Sequence, residues 1–197
     1  MTTRRVSWRR DDEVATDEWC SLSVRDAGLS LVGTIVGAIA GLPLRVEYRV
    51  LAEPDGATAA VHVRQWHGFG QRSLALQRDA RGNWTIDGNR ASGLRGATDV
   101  DLGITPSTNT LPIRRLRLRV GASKEIRAAW VRFPELTVEK ASQRYSRIDE
   151  FTYRYLSGAF EAELTVDDDG LVGTYAVWRR TGLASGGDDS EPLDAAR

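Results

Sequence analysis

Residues 44–50 read Leu44-Arg45-Val46-Glu47-Tyr48-Arg49-Val50, with an apolar side chain at every second position. Because successive side chains of a strand point to opposite faces, this alternation predicts a strand with one buried and one solvated face. The same pattern recurs at residues 115–120 and 160–166. Antiparallel hairpins are therefore predicted, among them residues 74–86 and 159–179. The turn sequences between such runs are Pro54-Asp55-Gly56, Asp79-Ala80-Arg81-Gly82, Asp87-Gly88 and Asp167-Asp168-Asp169-Gly170.

Helical spacing occurs in a single segment, at Val138, Ala141, Tyr145 and Ile148. The same segment also fits a strand that continues from residues 136–138, and we favour the strand. About a dozen strands with few or no helices leave a sandwich, a closed barrel or a sheet rolled up on itself. The choice bears on function, because a rolled or barrel-like sheet can enclose a small ligand, whereas a sandwich fills its interior with its own side chains.

The chain has the size of one domain, at 197 residues, and such a domain needs no disulfide or metal to stay folded. Its single cysteine, Cys20, excludes an internal disulfide and a multi-cysteine zinc site. We predict one β domain over residues 1–181. The remaining residues, 182–197, are rich in small and acidic side chains and are predicted to form a disordered tail.

Charge and hydropathy narrow the range of partners. The 27 Lys and Arg residues balance 27 Asp and Glu residues, so no net field attracts a polyanion and we expect no nucleic-acid partner. Charges from Arg4 to Glu13 leave no apolar stretch for a secretory signal. The apolar run at residues 29–44 is shorter than the roughly 20 residues of a membrane span. We therefore expect a cytoplasmic protein without a transmembrane segment.

Residues that could carry catalysis are few. The histidines His62 and His67 are five positions apart, so a regular strand places them on opposite faces, where they cannot share a metal ion. No G-x-S-x-G elbow is present, and Cys20 is interpreted as a structural cysteine. We predict no catalytic residue, no metal site and no cofactor.

Two carboxylates, Asp99 and Asp101, lie two positions apart, so a strand places both on one face. Paired carboxylates serve as acid and base in glycoside hydrolysis, but such pairs usually come from separate elements across a cleft. We favour a structural role, in which both accept hydrogen bonds from turn amides or pair with arginines. A hydrolase or isomerase that acts on a sugar or lipid through this pair stays an alternative.

Arginine dominates residues 113–119, which alternate as a strand would. The arginines at odd positions would face water, whereas Arg114 shares its parity with two leucines and would point to the apolar side. A buried charge needs a partner. The predicted partner is Asp99 or Asp101, or the polar head of a bound ligand.

Aromatic side chains are expected to pack in the core or to line a cavity. Phe151, Tyr153 and Tyr155 share one strand face, and Trp130 lies in another predicted strand. Tyr and Trp combine an apolar body with a hydrogen-bonding tip, which suits amphipathic ligands such as glycolipids.

Residues 99–116 (DVDLGITPSTNTLPIRRL) carry the pattern D-x-D-x-x-x-T-P-x-T-N-x-L-P-I-R-R-L. This pattern resembles the bacterial "putative glycolipid-binding" family, and the likeness continues at Gln143-x-Tyr145 and residues 166–172, over most of residues 6–180. The resemblance implies an all-β, single-domain spiral β-roll, an unclosed barrel of antiparallel strands. That roll is similar in shape to the carriers and receptors of lipoprotein sorting, which hold acyl chains. The resemblance implies no catalytic residue.

The connection at residues 105–112 has turn chemistry of its own, because Thr105-Pro106 favours an extended or turn geometry. It would hold Asp101, Asn109 and Arg114 together at one end of the roll. We expect a non-enzymatic protein that holds a lipid or glycolipid in its curved sheet. A protein-interaction scaffold with a filled core is a further alternative. The sequence does not determine the oligomeric state. The predicted ligand-binding residues are Arg114, Asp99, Asp101, Asn109, Gln143, Tyr145, Tyr153 and Trp130.

Overall fold

Fifteen β-strands follow one another in a computed structural model that describes residues 2–186. They are β1 Thr2–Arg10, β2 Thr16–Arg25, β3 Gly28–Ile39, β4 Leu42–Ala52, β5 Thr58–His67, β6 Gly70–Arg78, β7 Trp84–Ile86, β8 Asn89–Arg90, β9 Asp99–Leu102, β10 Ser123–Arg132, β11 Thr137–Arg147, β12 Thr152–Ser157, β13 Phe160–Val166, β14 Val172–Tyr175 and β15 Trp178–Gly186. Two 3-10 helices, Ser92–Leu94 and Ser107–Asn109, and one α-helix, α1 Thr110–Leu116, complete the described elements.

All described strands belong to one sheet, in the order β8-β7-β6-β5-β4-β3-β2-β1-β15-β14-β13-β12-β11-β10-β9. The first and last strands pair antiparallel in the middle of the sheet, and β9 joins β10 in parallel at one edge. The start of β9 also contacts the start of β5, since the Thr58 amide donates to Thr98 O at 2.9 Å. The sheet is thus rolled up without closing into a barrel, which confirms the predicted all-β, unclosed architecture.

The predicted hairpins are present. β6 pairs antiparallel with β7 across the Asp79–Gly82 turn, and β13 pairs with β14 across the turn at residues 167–170. The segment with ambiguous spacing is strand β11, as favoured from its sequence. The last strand continues to Gly186, beyond the domain boundary predicted at residue 181. The rest of the predicted tail, residues 187–197, lies outside the described residues.

The prediction of a strand over residues 113–119 is wrong, because residues 110–116 form helix α1 and residues 117–119 belong to no strand. Pro112 lies in the first turn of the helix, where its missing N–H leaves no hydrogen bond unmade. The first turn of the helix lies in the protein interior, since all four of its residues, Thr110, Leu111, Pro112 and Ile113, are buried. The helix ends at Leu116 and is capped by Arg117, whose φ of 46° is left-handed and whose amide donates to Ile113 O.

Apolar side chains from both halves of the sheet form one continuous buried cluster. Trp8 and Trp84 are each 1% exposed, and their indole N–H groups donate to Val172 O at 2.7 Å and Ala97 O at 3.0 Å. Their hydrogen bonds satisfy the only polar atom of each buried ring. Within residues 2–186, no helix combines the length and apolar character that a bilayer span requires.

The antiparallel order gives the roll two distinct ends. At the first end, β1, β3 and β5 finish and β2, β4 and β6 begin; at the second end, β2, β4 and β6 finish. Turns and short connections cluster at both ends, where the buried core ends and side chains contact solvent. Clefts at these ends are therefore the places where a ligand can reach the roll.

Candidate functional site

A cleft of about 710 Å³ opens at the first end, between the ends of β1, β9 and β12 and the start of β15. We call it the aromatic cleft. Its lining consists of Arg10, Asp12, Asp101, Gly103, Thr105, Asn109, Trp130, Glu139, Lys140, Ala141, Ser142, Tyr155, Ser157, Gly158, Phe160, Tyr175, Ala176, Val177 and Trp178. The lining combines aromatic rings with polar and charged groups, so the cleft has both an apolar and a polar part.

The carboxylate of Asp101 is the central polar group of the aromatic cleft. Its Oδ2 accepts a hydrogen bond from Gln143 Nε2 at 2.5 Å and a long one from the Tyr155 hydroxyl at 3.4 Å. No donor within residues 2–186 reaches Oδ1, so this oxygen is free to accept a hydrogen bond from a ligand. Withdrawal from water raises the pKa of Asp101 to about 6, although both hydrogen bonds act against the shift.

A second polar group, the amide of Asn109, is held in a fixed orientation. The Tyr145 hydroxyl donates to Asn109 Oδ1 at 2.7 Å, and Asn109 Nδ2 donates to Pro106 O at 3.1 Å. The 3-10 helix that precedes α1 sets this position, since it follows directly from the Thr105-Pro106 turn. Asn109 therefore contributes to the cleft floor with its hydrogen bonds already made.

One wall of the cleft is a cluster of aromatic rings from consecutive strands. Tyr155 packs edge-on against Phe160 and Tyr175, with ring centroids 6.1 and 5.7 Å apart. Tyr175 stacks on Trp178 at 5.4 Å, and the Arg10 guanidinium lies 4.6 Å from the Trp178 ring centroid. These strands bring the rings together because β12, β13, β14 and β15 are neighbours in the sheet.

A buried carboxylate, Glu18, lies behind the cleft floor. Thr105, which lines the cleft, donates to Glu18 Oε1 at 2.7 Å, and the Tyr48 hydroxyl donates to the same oxygen. Glu18 Oε2 is buried without a partner, and withdrawal from water raises the pKa of Glu18 to about 7. Sequence reasoning missed this residue, although Glu18 shares its parity in β2 with Cys20 and a buried leucine.

The predicted partnership of Arg114 with Asp99 or Asp101 is wrong. Arg114 Nη1 instead donates to Asp169 O at 2.6 Å, and its side chain is 30% exposed. Asp99, which is 1% exposed, is held by Arg115 through Nε to Oδ1 at 3.1 Å and Nη2 to Oδ2 at 2.6 Å. A strand would have placed Arg114 on the apolar side and Arg115 in water. The helix does the opposite, because it turns Arg115 toward the core and leaves Arg114 near the surface.

The structure brings together five of the eight residues predicted for ligand binding, and it separates three. Asp101, Asn109 and Trp130 line the aromatic cleft, and Gln143 and Tyr145 support the first two by hydrogen bonds. The three that lie elsewhere are Asp99, Arg114 and Tyr153. Tyr153 and Arg114 line a separate cleft at the second end.

The wall residues Tyr175 and Trp178 were not among the predicted ligand-binding residues. Their place is decided by the pairing of β14 with β15, which local alternation cannot reveal. Within the described chain, no three His, Cys, Asp or Glu side chains are grouped so as to hold a metal ion.

The fold and the cleft define a class: an all-β protein whose single unclosed sheet carries an amphipathic cleft at one end. The chain belongs to the family described as "Putative glycolipid-binding", whose model matches residues 5–180. It is 32% identical to a DUF1089 family protein from Pseudomonas aeruginosa, with a TM-score of 0.76 over 87% of this chain and 94% of that one.

A second solved structure is a beta-barrel-like protein of Domain of Unknown Function DUF1849 from Brucella abortus. It is 6% identical to this chain, with a TM-score of 0.55 over 93% of this chain and 97% of that one. A likeness at this level of identity concerns the fold alone. The comparison with curated proteins gave no match.

Proposed function

We propose that this protein binds an amphipathic ligand of the glycolipid class in the aromatic cleft and does not transform it. One observation carries the proposal: Asp101 Oδ1, which has no donor within residues 2–186, lies in a cleft with one aromatic wall. A sugar hydroxyl can donate to this oxygen while the apolar part of the ligand packs on the rings. The family description supports the same class of ligand.

The size and composition of the cleft support this class. Its volume of about 710 Å³ falls within the roughly 300–1,000 Å³ of ordinary small-molecule sites. Tyr155 and Tyr175 offer ring faces or edges to apolar groups, and Arg10 sits at the Trp178 end of the wall. A ligand with both a hydroxyl-rich head and an apolar part would use both surfaces of the cleft.

Binding is favoured over hydrolysis through Asp99 and Asp101. Both oxygens of Asp99 are bonded to Arg115, and Asp99 does not line the cleft. With both oxygens engaged by Arg115 and no place in the cleft lining, Asp99 is not positioned to act as an acid or base on a ligand bound there. The scaffold alternative has support from the filled core, but the cleft lies at the end of that core.

The test is native mass spectrometry of protein purified from its own host, followed by lipid extraction and displacement of a fluorescent fatty acid by glycolipids. We expect a lipid to co-purify with the wild type and glycolipids to displace the fluorescent fatty acid. Asp101→Asn should weaken glycolipid binding about tenfold, because that change replaces an ionised acceptor by a neutral one. The matched control is Asp168→Asn, which alters an exposed carboxylate at the second end.

Two outcomes would contradict the proposal. The absence of both a co-purified lipid and displacement in the wild type would exclude a lipid ligand. An equal effect of Asp101→Asn and Asp168→Asn would remove the aromatic cleft as its site. Turnover of a glycolipid that Asp101→Asn abolishes would instead favour the enzymatic alternative.

A further inference from the structure

A cleft of about 590 Å³ lies at the second end, where β6 turns into β7 and the chain then passes to β9. Four arginines line it, and we call it the arginine cleft. The four are Arg78, Arg81, Arg90 and Arg95. The buried Trp84 ring forms its apolar base, and Arg81, Arg90 and Arg95 are exposed at its rim.

The positive charge of the arginine cleft exceeds the negative charge beside it. No Asp or Glu lines it, and none of its four arginines forms an ion pair with a carboxylate within residues 2–186. Asp79, in the adjoining turn, attracts Arg81 without forming an ion pair, and its oxygens accept hydrogen bonds from the Arg81 and Asn83 amides at 2.9 and 2.8 Å and from Asn83 Nδ2 at 3.0 Å. The cleft is thus a local concentration of cations in a chain of zero net charge.

Arg78 adds a second, independent observation. Its Nε is buried and has no hydrogen-bond partner within the described chain. The guanidinium packs against the turn, since a Cβ added at Gly82 would lie 3.4 Å from Arg78 Nη2. A guanidinium that has lost part of its hydration attracts an anion more strongly than one in bulk water.

We propose that the arginine cleft binds a phosphate group, carried either by a soluble molecule or by a lipid headgroup. Each planar guanidinium matches two phosphate oxygens in a bidentate fork. A carboxylate has two oxygens and one charge, whereas a phosphate monoester has three terminal oxygens and up to two charges, so it can engage several arginines at once. Four arginines without an ion-pair partner around one cleft therefore favour a phosphate over a carboxylate as the bound anion.

This inference does not depend on the glycolipid proposal. The arginine cleft lies where β6 finishes and β9 begins, whereas the aromatic cleft lies where β1 and β9 finish. Asp101→Asn should therefore leave phosphate binding unchanged, and loss of the arginines should leave displacement of the fluorescent fatty acid unchanged. The two proposals can fail separately.

The experiment measures binding of inorganic phosphate to the full chain by calorimetry, with acetate at equal ionic strength as the comparison. We expect phosphate to bind more tightly than acetate, with an affinity that falls as salt rises. Arg90→Ala should weaken phosphate binding about tenfold, because it removes one charge-assisted contact. Arg78→Lys, which keeps the charge but loses the fork, should also weaken it. The matched control is Arg49→Ala, an exposed arginine of β4 outside the cleft.

Sedimentation with phosphatidylcholine vesicles, with and without phosphatidic acid, separates the two sources of phosphate. Binding to phosphatidic acid vesicles that Arg90→Ala weakens supports a lipid headgroup, and phosphate binding without vesicle binding supports a soluble phosphate ligand. No preference of the wild type for phosphate over acetate would overturn the proposal. Equal losses in Arg90→Ala and Arg49→Ala would overturn it as well, because general charge would then explain the binding.

Discussion

Glu18→Gln is predicted to stabilise the protein at alkaline pH and to change its stability little at acidic pH. Burial raises the pKa of Glu18 from 4.5 to about 7 in the folded state, and Oε2 has no partner that would favour ionisation. Folding therefore takes up a proton between these two pH values, and stability is lost as the pH rises through this window. At about 1.4 kcal/mol per pKa unit, the ionised carboxylate costs about 3 kcal/mol above pH 7. Glutamine keeps the acceptor for Tyr48 and Thr105 but cannot ionise.

The free energy of unfolding is measured by urea denaturation at about pH 5 and about pH 8 for the wild type and for Glu18→Gln. The difference between the two proteins isolates Glu18 from Asp101, whose raised pKa acts in the same direction. Glu13→Gln is the matched control, since Glu13 is exposed in the loop between β1 and β2. A difference of equal size at both pH values would refute the reasoning, because it would mean that folding does not change the protonation of Glu18.

Two further predictions concern stability at neutral pH, measured by urea denaturation. Arg115→Ala should lower the free energy of unfolding by about 3–5 kcal/mol, because it leaves the buried Asp99 carboxylate unpaired. Arg114→Ala should lower it by less than about 1 kcal/mol, because its ion pair is partly exposed. Equal losses would contradict the assignment of Arg115 as the partner of Asp99. Gly33→Ala should cost about 1–3 kcal/mol, since an added Cβ would overlap the Tyr48 ring, and an unchanged midpoint would show that the ring can move away.

Alternation along the chain predicted the strands because one face of nearly every strand is buried. It failed at residues 110–116, where a short helix has too few turns to show a helical period. Pro112 and the Thr105-Pro106 turn were read as a connection into a strand. The same proline also fits the first turn of a helix, and the sequence alone does not separate these two uses.

The polar residues of the candidate site were easier to predict from the sequence than the residues of its aromatic wall. Asp101 and Asn109 are close along the chain, so one turn brings them together. Tyr175 and Trp178 join them only through long-range strand pairing. The argument from inward parity was sound but was applied to a helix. In β2 the same argument identifies Glu18, a charged residue between buried neighbours.

The balanced charge of the whole chain conceals an uneven distribution. Equal numbers of acids and bases remove any long-range field, but a binding site responds to the charges within about 10 Å of it at physiological salt. The acids near the arginine cleft, Asp79 and Asp87, are used to close turns, since Asp79 accepts from the Asn83 amide and Asp87 from the Ala75 amide. The four arginines of the cleft form no ion pair with a carboxylate within the described chain, so these two acids offset only part of their charge and a neutral protein can still present a cationic cleft. Zero net charge therefore argues against binding of a polyanion over the whole surface. It is compatible with binding of a single phosphate at one end of the roll.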